Sequence, residues 1–160
     1  MPEAPNHAEA LILFRRGPEI LDASLRGVAE DESRFVPAPR KWTIRQIARH
    51  LTDTEIVAGM RLRQIIAEDN PQLAVFDQDF WADRLAYNDC DPFDSAAKFR
   101  LLRGDMSAIL ERLPAADFGR VGLHPERGVW TLGDWVWHFG RHVEMHAGQI
   151  DAIREKWCAR

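Results

Sequence analysis

Apolar residues along the chain recur mainly at three- and four-residue spacing, the period of helices buried along one face. From about 7 to 27 the stripe is Leu11, Leu13, Phe14, Ile20, Leu21 and Leu25, and Pro18 inside it predicts a kink or a break. RFVPAPRKW is then extended, because its two prolines exclude a regular helix. Thr43 is suited to cap a long helix, TIRQIARHLTDTEIVAGMRLRQIIAED, which DNP at 69–71 stops. Its buried face is read as Ile44, Ile47, Leu51, Ala58, Leu62 and Ile65. A short helical turn around QDFWADRLAYND follows. A third long helix covers about 94 to 113, with Phe99, Leu102, Met106, Ile109 and Leu113 inward. PAADF and LHPERGVW read as loop, and a last helix spans about 131 to 157. No segment alternates with period two for long enough to need a sheet. Four long helices with one long and two shorter connections predict an all-α four-helix bundle with short extra helical turns.

The length of 160 residues suits one domain over 1–160, large enough to bury a core without disulfides. A net charge of -4, with acidic residues among the Arg clusters, argues against a nucleic-acid partner. No apolar run reaches the length of about 18 residues that crosses a bilayer. The start, MPEAPNHAEALILF, has no basic segment before its apolar run, so it is not read as an export signal. Cys90 and Cys158 match no metal spacing and are expected to be free thiols in a reducing cytoplasm.

The chemistry concentrates in WVWHFGRHVEMHAGQI, where His138, His142 and His146 fall at intervals of four. Residues four apart on a helix differ by about 40° in direction and about 6 Å in height. Adjacent histidines therefore share a face, whereas His138 and His146 are about 12 Å apart, too far to meet at one ion. Either His138 with His142 or His142 with His146 can form a metal-binding pair; a hydrogen-bonded, partly buried pair is the plainer alternative. A third ligand must come from a facing helix, and His50 is the candidate. It falls on a mixed polar stripe with Thr43, Thr54, Val57 and Arg61, beside the core stripe, where a pocket wall or a half-solvated boundary would lie. Three neutral imidazoles suit zinc or nickel and leave positions open for water or substrate. Asp53, one turn after His50, either supports a ligand or bound water from behind or occupies the plain surface.

Other chemistry is weaker. Cys90 lies among carboxylates in YNDCDPF, which disfavour a thiolate, and the chain has neither G-x-S-x-G nor a phosphate-binding glycine loop. His7 reads as a residue of a frayed terminus, and His124 as a loop cap or a residue of the pocket mouth. Most tryptophans are expected to pack helix ends, although Trp135 or Trp137 could wall an apolar pocket.

KWTIRQIARHLTDTE, RLRQIIAEDNP and HPERGVWTLGDWVWHFGRHVEMHAGQI together resemble the DinB/YfiT-like superfamily of metal-binding four-helix bundles, over about residues 40 to 157. The resemblance implies an up-down-down-up bundle, a homodimer, and a divalent ion. Its ligands would be His50 and the H-x-x-x-H pair before the G-Q-I tail, His142 and His146, which leaves His138 as a neighbour. Ala147 departs from the basic or polar residue common after the last histidine, so the hydrogen bonding there is open. Members of the family include thiol-dependent S-transferases, a mycothiol-dependent maleylpyruvate isomerase, and proteins named as metal-dependent hydrolases or as damage-inducible. The expected function is accordingly a metal-dependent enzyme acting on a small molecule, a thiol S-transferase slightly ahead of a hydrolase, with a low-molecular-weight thiol as candidate cosubstrate. The alternative is a non-enzymatic metal-binding or stress-response module whose ion is structural.

Overall fold

The computed structural model describes residues 6–160; the part of the N-terminal reading that falls on residues 1–5 lies outside them. The helices are α1 (His7–Arg15), α2 (Gly17–Leu25), α3 (Glu30–Ser33), α4 (Ile44–Ala67), α5 (Gln78–Arg84), α6 (Pro92–Leu110) and α7 (Leu132–Cys158). Strands β1 (Val121–His124) and β2 (Gly128–Thr131) form an antiparallel hairpin. α1 and α2 together make one arm of a four-helix bundle completed by α4, α6 and α7.

Side-chain contacts give the helix directions. Thr52 meets Ser95 and Arg63 meets Asp105, so α4 and α6 run parallel. His50 lies beside His142, while Arg61 lies over Trp135, so α7 runs against α4. Gly140 abuts Leu13, and Arg154 reaches Ser24, which makes the α1–α2 arm parallel to α7. The order is up, down, down, up. A parallel α4–α6 pair needs a long return, supplied by residues 68–91.

Both long histidine-bearing helices, α4 and α7, start with reciprocal caps. The Thr43 hydroxyl accepts from the Gln46 N–H while the Gln46 side chain accepts from the Thr43 N–H, and Thr131 with Asp134 repeats the arrangement at α7. All six apolar residues expected on the α4 core stripe are buried.

Pro18 breaks the first helix, and α6 answers the break. Proline has no N–H to give the Phe14 carbonyl, four residues back. Arg103 Nη1 of α6 donates to that carbonyl at 2.8 Å instead. Gly17 makes room, since a Cβ there would lie 2.7 Å from Arg103 Nη1. The same guanidinium forms a bidentate pair with Glu55 of α4, at 2.8 and 2.6 Å, and lies over the Phe14 ring. Both partners are buried. This corrects the expected inward face of α6. Leu102 is 36% exposed, and the buried stripe is Phe99, Arg103, Met106 and Leu110. The third helix also begins at Pro92 and ends at Leu110, slightly earlier at both ends than expected.

LHPERGVW, read as loop, contributes to the hairpin. Strands of four residues are too short to show a period, and this pair is set by backbone bonds, with Gly128 at φ 79° closing the turn. Leu123 also exchanges backbone bonds with Pro71 and Leu73, pinning the hairpin across the end of α4.

Candidate metal centre

α4 and α7 bring His50, His142 and His146 together. The Nε2 atoms of His50 and His142 are 3.4 Å apart, and those of His142 and His146 are 3.1 Å apart. One nitrogen from each of the three lies within 4.8 Å of the others. Tetrahedral coordination at about 2.0–2.1 Å implies nitrogen–nitrogen edges of about 3.3–3.4 Å, close to the two spacings that His142 makes with its neighbours.

Protonation favours the same use. Burial, and then His146, pull the His50 pKa down to about 3. Burial, followed by the neighbouring His146 and His50, pulls His142 down to about 2. Burial also lowers His146, while its bond to Gln149 opposes the shift. All three are neutral near pH 7. His146 Nδ1 donates to Gln149 Oε1 at 2.9 Å, which leaves its Nε2 lone pair facing the other two rings. Gln149 thus supplies the hydrogen bond left open by Ala147. Its position three residues after His146 on a helix was the available signal.

His138 stays outside the cluster. Its ring is 6.0 Å from that of His142, between Trp130 and Trp135. Burial, followed by Arg127 and Arg61, lowers its pKa to about 4. Asp53 is neither on the surface nor on a histidine. It is 2% exposed and accepts from the Tyr87 hydroxyl at 2.7 Å. Arg49 Nη2 lies 2.9 Å from its other oxygen, as an ion pair out of line for a hydrogen bond. The reason is the turn at Tyr87–Asp89, which covers this side of α4.

A cavity of about 450 Å³ opens beside His146. Its walls come from residues 37–42, the start of α5 and the second half of α7. Trp42 lines it and also packs on His50, with ring centroids 4.9 Å apart. Of the two tryptophans read as packing residues or alternatively as pocket walls, Trp135 is fully buried in the core and Trp137 packs on that core, and neither lines the cavity. His124 is buried, and its Nδ1 accepts from the Glu126 N–H, which fits the loop-cap reading. His7 lies at the first turn of α1, its ring 5.1 Å from that of Phe118. Cys90 and Cys158 are free thiols.

The sequence profile of the DinB superfamily matches residues 13–150. The chain belongs to the DinB superfamily. A relative within reach of this DinB chain is OB0782 of Oceanobacillus iheyensis, named "Putative metal-dependent hydrolase". It is 30% identical over 119 residues, which cover 72% of this chain and 68% of the relative. YfiT of Bacillus subtilis bears the same designation and is 30% identical over 107 residues, 64% of this chain and 60% of its own length. The solved structure of YfiT, described as having an unusual four-helix bundle topology, superposes with a TM-score of 0.79 at 23% identity. That superposition covers 91% of this chain and 86% of YfiT. Among the described residues of this DinB protein, no helix is long and apolar enough to cross a membrane.

Proposed function

We propose that the chain is a divalent-metal-dependent hydrolase of a small molecule, with His50, His142 and His146 holding the ion. The observation that carries this reading is the convergence of three neutral imidazole nitrogens at spacings of 3.1 and 3.4 Å, beside an open cavity. The designations of OB0782 and YfiT support it. When bound, zinc or nickel supplies Lewis-acid polarisation of a carbonyl and a lowered pKa for water. The chain's own residues orient and shield. Gln149 fixes the His146 ring, Trp42 packs against His50, and Ile47 and Ile153 keep part of the cavity wall apolar.

A thiol S-transferase remains the second reading. The three imidazoles bring no negative charge to the site, so an anionic cosubstrate such as a low-molecular-weight thiolate is admitted there. A purely structural ion fits less well, because closed coordination is the rule for structural sites and His146 lines an open cavity. In the same reading, residues 1–160 form one domain that works as a cytoplasmic homodimer without nucleic acid.

The test is turnover of chromogenic esters, and of a chromogenic electrophile with added thiols, by chelator-treated protein before and after zinc or nickel is restored. Metal-dependent ester cleavage without thiol supports the hydrolase. Turnover only with thiol selects the transferase, and none with either leaves the structural-ion alternative.

A further inference from the structure

The cavity beside His146 has a marked charge pattern at its edge. Arg40, Lys41 and Lys156 line it, against a single carboxylate, that of Asp79. The whole chain carries a net charge of -4, so this local excess of cations runs against the average. None of the three cations forms an ion pair among the described residues, although Arg34, Arg45 and Arg49 nearby in sequence all do. Arg40 also has φ 61°, a left-handed conformation that glycine or asparagine adopts more readily than arginine. A charged residue kept at a strained position on a cavity rim needs a reason, and unpaired neighbouring cations supply one. Deeper in, Trp42, Ile47 and Ile153 are apolar, and His146 with Gln149 forms the polar end.

We infer that this cavity takes small organic carboxylates with an apolar body, the acid held by Arg40, Lys41 and Lys156 and the reactive bond turned toward His146. The inference rests on the hydrolase reading of the same site and names its substrate class. In such a substrate one water is consumed. The carbonyl carbon–heteroatom bond distal to the acid breaks, the hydroxyl goes to the acyl carbon, and the proton goes to the departing heteroatom. The apolar body, stacked along Trp42 and Ile153, sets the distance between acid and reactive bond.

Binding to metal-free protein separates this inference from the metal reading, because the rim cations act without an ion. The probes are 3-phenylpropionate and its neutral amide, titrated into chelator-treated protein and followed by amide and indole NMR shifts of Gln149 and Trp42. The acid is expected to bind with shifts at both residues, weakening as salt rises, and the amide to bind at least about fivefold more weakly. Exposed cations each contribute about two- to fivefold, so Arg40→Gly with Lys41→Gln and Lys156→Gln lowers acid affinity by about tenfold or more. Arg40→Gly suits the observed φ, and Lys41 and Lys156 are exposed, so the fold is kept; an unchanged Tm and zinc stoichiometry check this. Lys156→Gln alone, on an exposed face of α7, gives the same direction with a smaller factor. Equal affinity for acid and amide, affinity unmoved by the variants, or shifts confined to another surface would each overturn the inference. Failure of the protein to take up either zinc or nickel while the acid still binds sinks the hydrolase reading and leaves the recognition of carboxylates standing.

Discussion

Replacing Arg103 by methionine is expected to destabilise the bundle by about 3–5 kcal/mol, because it strands a buried carboxylate. The magnitude follows from what the guanidinium touches. It gives two hydrogen bonds to Glu55 at 2.8 and 2.6 Å and one to the Phe14 carbonyl at 2.8 Å. Methionine restores much of the volume between the Phe14 and Phe99 rings but none of these bonds. Changing Glu55 to leucine as well removes the stranded charge, and replacing a whole buried pair by apolar residues is often near neutral. What then remains is the Phe14 carbonyl, which Pro18 cannot serve, at about 1–3 kcal/mol. The double variant is thus expected to be more stable than Arg103→Met alone. Urea unfolding of chelator-treated protein at pH 7, followed by circular dichroism at constant m, measures all three. A single-variant loss below about 1 kcal/mol, or a double variant less stable than Arg103→Met, would refute the account.

His50→Ala, His142→Ala and His146→Ala should each abolish stoichiometric uptake of zinc or nickel, whereas His138→Ala should largely spare it; elemental analysis of the four proteins decides. Stability of the metal-free protein should be full above about pH 6.5 and fall as the pH drops below it, because unfolded imidazoles take protons that folded His50 and His142, held down to about 3 and about 2, refuse. Those two groups give a slope of up to about 3 kcal/mol per pH unit, read from urea midpoints between pH 7 and 5. Gly140→Ala should cost about 1–3 kcal/mol in thermal unfolding, since its Cβ would lie 2.8 Å from Leu13 Cγ and 3.2 Å from the Phe14 nitrogen. In a Leu13→Ala background the methyl added at position 140 should cost less than it does alone, because the Leu13 atoms it would meet are gone.

The bundle was legible where periodicity is long. The α4 stripe from Ile44 to Ile65 and the break at Pro18 are direct readings of residue type. On α6 the same logic failed, because a buried arginine occupies a core position and hydrophobic counting moves the face toward Leu102. Arg103 is buried only because Glu55 and Phe14 meet it, and tertiary partners leave no trace in spacing. The hairpin escaped because its strands are four residues long. Helix geometry narrowed the histidines to two adjacent pairs, and family resemblance favoured His142 with His146. The cavity itself was hidden, since residues 37–42 carry no periodic signal and meet α7 only after folding.

The three histidines also constrain when the site can exist. His50 and His142 are 92 positions apart. A chain emerging from the ribosome N-terminus first presents His50 long before α7 has been made. Until α7 docks, His50 is a lone imidazole with no more claim on an ion than any other. On the proposed ligand set, metal acquisition would therefore follow synthesis of nearly all the described chain.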